Sequence, residues 1–115
     1  MTHNNFEKLC DMATEAHSRF QQEIKTVNPV VGVSQSMRAS GIPVDVMTID
    51  CLKSDKRIIL ILNDEIPDSI SYQFNWRDKD PTDNFTQVTF DDLCPDMIFE
   101  WMKGYLVLGI GEQRH

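Results

Sequence analysis

Ile70-Ser71-Tyr72-Gln73-Phe74-Asn75-Trp76-Arg77 alternates without a break between large apolar and polar side chains. A period of two puts every second residue of a strand on one side, so Ile70, Tyr72, Phe74 and Trp76 share a face. Four bulky side chains in a row need a cover, and a strand has to borrow that cover from another element. The pattern predicts a strand over 70–76, its aromatic face turned inward and Ser71, Gln73, Asn75 and Arg77 in water.

The opening of the chain offers the cover. Phe6, Leu9, Ala13, Ala16, Phe20, Ile24 and Val27 recur at spacings of three and four, which draws one apolar stripe along a helix. Asn4 followed by Glu7 resembles a capping box. Asn28-Pro29 ends the run, because the residue before a proline avoids the helical region. A helix is expected over 5–27, with Glu7, Lys8, Asp11, Glu15, Arg19, Gln22 and Lys25 on its wet side.

Between helix and aromatic strand, Val44–Leu52 and Arg57–Asn63 read as two strands joined by the turn Lys53-Ser54-Asp55-Lys56. The second contains Ile58-Ile59-Leu60-Ile61-Leu62, apolar on both faces. That suits a central strand, or one covered on its second side by another element or subunit. Ile66-Pro67-Asp68-Ser69 marks a turn, 77–84 is a polar loop, and Phe85–Phe90 reads as a further strand. Residues 28–43 give mixed signals. Val30, Val31 and Val33 suit a short strand, whereas 34–41 is loop-like, and a structureless stretch of that length is uncommon in a compact domain.

A second helix is expected to start between Asp91 and Pro95, capped by Asp91 or Asp92 and tolerating Pro95 in its first turn. Ile98, Trp101, Met102 and Tyr105 follow at helical spacing, and Gly104 is the natural stop. Leu106-Val107-Leu108-Gly109-Ile110 forms either a last strand or a packed tail. The fold class is therefore α+β: an N-terminal helix, an antiparallel meander of three to four strands and a C-terminal helix, the helices packed on one sheet face and residues 1–115 making a single domain. In element order and acidity this resembles small acidic secretion chaperones and other α+β adaptors. The likeness is one of architecture alone.

Composition narrows the function classes. Hydrophobic residues make up 41% and charged residues 25% of the 115, as in folded globular chains. No segment approaches the roughly 20 apolar residues that a bilayer span requires. Met1-Thr2-His3-Asn4-Asn5-Phe6-Glu7-Lys8 lacks the basic start and apolar stretch of a signal peptide. A soluble, cytoplasmic protein without membrane contact is expected. Cys10, Cys51 and Cys94 are odd in number and widely dispersed, which suits reduced thiols better than a disulfide scaffold or a zinc site.

The formal net charge is −7, and it is uneven. Residues 61–100 hold Asp64, Glu65, Asp68, Asp78, Asp80, Asp83, Asp91, Asp92, Asp96 and Glu100 against Arg77 and Lys79 alone. Nucleic-acid binding depends on neutralising phosphates, so no direct nucleic-acid contact is expected from such a surface. It suits a basic protein partner, mimicry of a nucleic acid, or plain solubility.

Residues able to do chemistry are few. Cys10 and His17 share a helical face but lie about 10 Å apart at the helical rise per residue, beyond the reach of a nucleophile and its base. Cys94 is the candidate reactive thiol. A helix N-terminus would favour its thiolate, while Asp91, Asp92 and Asp96 oppose it. The run Asp78–Asp83 hints at a calcium loop, yet Asp83 and Thr89 stand where that loop needs glycine and glutamate. Gly109-Ile110-Gly111 lacks the context of a phosphate loop, and neither Ser34 nor Ser36 sits in a nucleophile elbow. No catalytic residue, metal or cofactor is expected, and the balance leans away from an enzyme.

What remains is a binding surface. Met97, Trp101, Met102 and Tyr105 gather near the C-terminal helix, and methionines and aromatics favour partner-facing surfaces when they do not pack inward. An outward Trp101 would suit a partner groove or a homodimer. The expected function is a non-enzymatic protein-binding module (adaptor, chaperone-like or inhibitor) with an acidic surface. The alternatives are a small enzyme or ligand-binding domain, with a pocket between sheet and helices near Trp76, Trp101 and one thiol, and an acidic nucleic-acid mimic.

Overall fold

The stripe at the start of the chain coils as its spacing demands. The structure, a computed structural model, describes residues 2–107, with side chains from residue 5 onward. Helix α1 runs Thr2–Glu23. It begins ahead of Asn4, so Asn4 and Glu7 both lie inside it rather than at its start. Asn5 reaches away instead and donates to the Pro67 carbonyl at 2.9 Å. The helix stops short of Val27, with one more helical bond from the Ile24 N–H to the Phe20 carbonyl. Thr26 and Val27 are β-branched and stand before Asn28-Pro29, a run that favours extended backbone.

Five strands follow, paired antiparallel in chain order: β1 Val30–Ser34, β2 Val44–Cys51, β3 Lys56–Asn63, β4 Ser69–Trp76 and β5 Thr86–Thr89. The strand beyond the expected three to four is β1, hidden in the ambiguous segment 28–43. The rest of that segment holds α2, a single turn at Ser36–Ala39. It closes at Gly41, whose φ of 95° is a conformation that side-chain-bearing residues resist. The doubly apolar β3 is the middle strand. The Cys51–Lys56 turn carries Asp55 at φ 63°, which aspartate tolerates better than most residues.

Directly paired residues lie on the same side of a sheet, so the register defines the inner face. Met47, Ile49 and Cys51 of β2 stand opposite Leu60, Ile58 and Lys56 of β3, and these stand opposite Tyr72, Phe74 and Trp76 of β4. The apolar members of the β2 and β3 rows are buried together with Leu62, Ile70 and the α1 residues Leu9, Ala13, Ala16 and Phe20. Each fully buried Leu, Ile or Phe stabilises the fold by roughly 1.5–3 kcal/mol.

The second helix, α3, spans Pro95–Trp101, after a separate 3-10 turn at Phe90–Asp92. Cys94 takes the cap position without a side-chain capping bond. Gly104 does not stop the chain: a wider π-helical turn carries on through Met102–Val107. Met102 and Leu106 are fully buried there, and their packing outweighs the ~1 kcal/mol that a helical glycine costs. Residues 108–115, including most of the expected tail strand, lie outside the described residues. α1 and α3 meet through Phe20 and Phe99, whose rings are 6.3 Å apart and edge-to-face. Arg19 places its guanidinium 4.1 Å over Phe99 and pairs with Glu23 and Asp96.

The aromatic strand departs from its simple inside-outside pattern. Phe74 is 39% exposed, whereas Gln73 on the opposite face is only 7% exposed. The cause lies in β5, which pairs with β4 only from Ser69 to Tyr72. Ahead of β5 the chain 77–85 folds over the outer face, where the Gln73 carboxamide donates to Thr82 Oγ1 at 2.8 Å and to the Asn84 carbonyl at 3.1 Å. One face of β4 thereby gains a lid over Gln73 while the flank beside Phe74 is left open. Elsewhere the outer face mixes Val44, Val46, Ile59 and Ile61 with polar residues, Arg57 clasping Asp50 through two bonds of 2.7 and 2.9 Å. No helix among the described residues is long and apolar enough to cross a membrane.

Candidate functional site

Where β5 lets go of β4, four aromatic rings form a ledge. Tyr72 and Phe74 rise from alternate positions of β4, and Trp101 and Tyr105 come down from the end of α3 and the π turn. Tyr72 stacks on Trp101 with ring centres 4.2 Å apart, and Phe74 stacks on Tyr105 at 4.8 Å. Phe74 also meets Trp101 edge-on at 6.2 Å and Tyr72 at 5.7 Å. Apart from the closer Tyr72–Trp101 stack, these separations lie in the favourable range for ring pairs, each worth about 0.5–1.5 kcal/mol beyond its buried area. The widened turn at Met102–Val107 is what serves both sides at once, sending Met102 and Leu106 into the core and Tyr105 onto the ledge.

Tyr105 is fixed at its far end, where its hydroxyl donates to the Asn75 carbonyl at 2.8 Å. Burial pushes its phenol pKa up, because the phenolate would lose its water. Lys56 sits behind it, only 7% exposed, with its ammonium 4.9 Å from the Tyr105 ring centre and 5.8 Å from that of Trp76. A cation over ring faces is worth about 2 kcal/mol when desolvated. The turn-like sequence around Lys56 conceals this role. Yet Lys56 has the same parity as Ile58, Leu60 and Leu62, so extending their alternation by one step would have placed it inward.

Beside the ledge runs a groove of about 360 Å³ lined by Tyr72, Gln73, Phe74, Asn75, Thr82, Asn84 and Thr86. Its floor is the outer edge of β4, which has no strand partner among the described residues beyond Tyr72. Its wall is the loop that Gln73 and Asn75 fasten. Thr82 N–H donates to Gln73 Oε1 at 3.0 Å, and Asn75 Nδ2 donates to the Asp80 carbonyl at 3.1 Å. Asp78, Asp80 and Asp83 are exposed on that loop, so the wall is anionic.

Of the residues singled out from sequence, Trp101 and Tyr105 meet on the ledge, half-buried. Met102 is fully buried, which removes it from any partner-facing surface, and Met97 is half-buried against the core. Phe74, at the centre of the rings, was hidden by its own regularity: perfect alternation assigned it to the interior. Cys94 is exposed, Cys10 half-buried and Cys51 buried, all as free thiols. Burial, then Asp11, Asp45 and Glu7, push the Cys10 thiol up and away from the reactive thiolate. Cys51 shares a row with Lys56 and Trp76 and is fully enclosed. Among the described residues no three His, Cys, Asp or Glu side chains are grouped to hold a metal ion. No family model, curated protein or solved structure matches the chain.

Proposed function

We propose that the protein is a non-enzymatic protein-binding module that receives an extended segment of another protein along the ledge. One observation carries this reading: Phe74 stands 39% exposed among three other rings, on the part of β4 that β5 does not reach. An exposed edge offers main-chain hydrogen bonds to an added strand, and side-chain pockets supply the selectivity. The ligand chemistry follows from the walls. An apolar or aromatic side chain would lie on Phe74, and a lysine or arginine nearby would answer Asp80 and Asp83. The three dispersed free thiols support placing this module in the cytoplasm.

Site-specific crosslinking tests the reading. A photoreactive phenylalanine analogue at position 74 should capture a defined partner in the native extract, and the same analogue at exposed Leu52 should not. Folded Phe74→Ser should lose that partner. Equal capture by both positions, or undiminished binding by Phe74→Ser, would refute the ledge as the binding surface.

A further inference from the structure

We infer that the opposite edge of the sheet is a self-association surface, where β1 pairs with β1 of a second copy of this chain. β1 is the outermost strand, and among the described residues it pairs with β2 alone. The direction of its free groups follows from the register. The Asp64 N–H bonds the Pro43 carbonyl at 2.9 Å, continuing the ladder in which Val44 faces Asn63. Odd-numbered residues of β2 therefore exchange main-chain bonds with β3, and even-numbered ones with β1. Val46, Thr48 and Asp50 face Ser34, Gly32 and Val30, so these three β1 residues are the bonded ones. Val31 and Val33 point their N–H and C=O groups outward.

That edge is self-complementary. If a two-fold axis passes beside Gly32, Val31 of each copy lies opposite Val33 of the other, and every outward N–H meets an outward C=O. Gly32 then faces its own symmetry mate in a non-bonded pair, and the two sheets merge into one. Side chains agree with this register. Val33 is 47% exposed, and beside Val31 lies a groove of about 310 Å³ lined by Thr14, His17, Pro29, Val30 and Val31. Val33 of the second copy would enter on that side, because paired residues share a face.

Charge selects a second copy as the occupant. Two chains of net charge −7 repel, so close approach costs least where neither carries charge. Residues 26–37 form the longest uncharged run in the sequence, and β1 lies within it. Of the acids in 61–100, Asp96 and Glu100 lie on α3 and the rest in the connections around β3, β4 and β5, and the strand order keeps β4 and β5 farthest from β1. A pair joined at β1 holds its acidic halves at opposite ends. Natural sheet edges are usually protected by lysine, proline or a bulge, and Val30–Ser34 has none of these. The aromatic ledge is at the far edge of the sheet, so this inference stands independently of the proposed function.

Sedimentation velocity and light scattering on the full chain test it, with Val33→Pro, Val33→Lys and Phe74→Ser. Proline at 33 removes an N–H that β2 does not use, and edge strands tolerate it there. The wild type should show a concentration-dependent species of twice the 13.3 kDa chain mass, strengthened by added salt as like-charge repulsion is screened. Phe74→Ser should dimerise as the wild type does, while Val33→Lys and Val33→Pro should be monomeric with wild-type circular dichroism. A wild type that stays monomeric at every concentration would overturn the inference. So would a dimer that survives in folded Val33→Lys, which decides the matter alone if the proline variant fails to fold.

Discussion

Phe99→Ala is the sharpest test of how the helices are held. Phe99 is 1% exposed, lies edge-on to Phe20 at 6.3 Å and carries the Arg19 guanidinium 4.1 Å above its ring. Truncating a buried phenylalanine costs about 3–5 kcal/mol, the loss of transfer energy plus the cavity left behind. The upper half of that range applies here, because sheet, α1 and α3 enclose the site and leave little room for collapse. A domain of this size is stable by roughly 6–17 kcal/mol, so the change removes a large share of the total. With an unfolding entropy of about 0.24 kcal/mol/K for such a chain, a loss of ~4 kcal/mol lowers Tm by about 16 °C. In urea the midpoint should fall by roughly 2–3 M at a slope of about 1.5 kcal/mol/M. Thermal and urea unfolding followed by circular dichroism measure both. Phe74→Ala is the comparison, expected to cost about half as much because its ring already meets water. If Phe99→Ala costs under ~1.5 kcal/mol, or no more than Phe74→Ala, α3 is not docked as described.

Other outcomes follow from single features. Alkylation read by mass spectrometry should label Cys94 first, Cys10 more slowly, and Cys51 only on unfolding, since Cys94 is exposed and Cys51 fully buried; labelling of Cys51 in the native protein would contradict the core assignment. Tyr105 has its pKa raised above 10.0 by burial, so its contribution to stability is complete below pH 10.0 and is lost as pH rises through the folded value. Tyr105→Phe should therefore show a shallower loss of stability above pH 10.0 in urea titrations, and an unchanged slope would mean that the phenol is not buried. Gly41→Ala forces a side chain into φ 95° with no atom nearby to relieve it, and should cost about 1–2 kcal/mol in thermal unfolding. A neutral result there would mean that the α2–β2 connection relaxes freely.

Local periodicity was enough to specify α1, β2, β3 and β4, though not β1 or α2. The stripe from Phe6 to Phe20 and the alternation from Ile70 to Trp76 are properties of near neighbours along the chain, and they define a helix and a strand before any tertiary contact exists. The doubly apolar Ile58–Leu62 announced a central strand for the same reason: only a strand flanked on both sides can bury so much. The functional surface obeyed no such local rule. Phe74 and Gln73 exchanged their expected environments because β5 ends its pairing at Tyr72 and the chain ahead of it crosses to the far face. Gly104 failed to end its helix because Met102 and Leu106 found the core. Lys56 became a buried cation because the rings of Trp76 and Tyr105, distant in sequence, converge on it. Periodicity reports which side of an element a residue occupies. Whether that side is covered depends on where other elements stop, and that is settled by contacts between residues far apart in the chain.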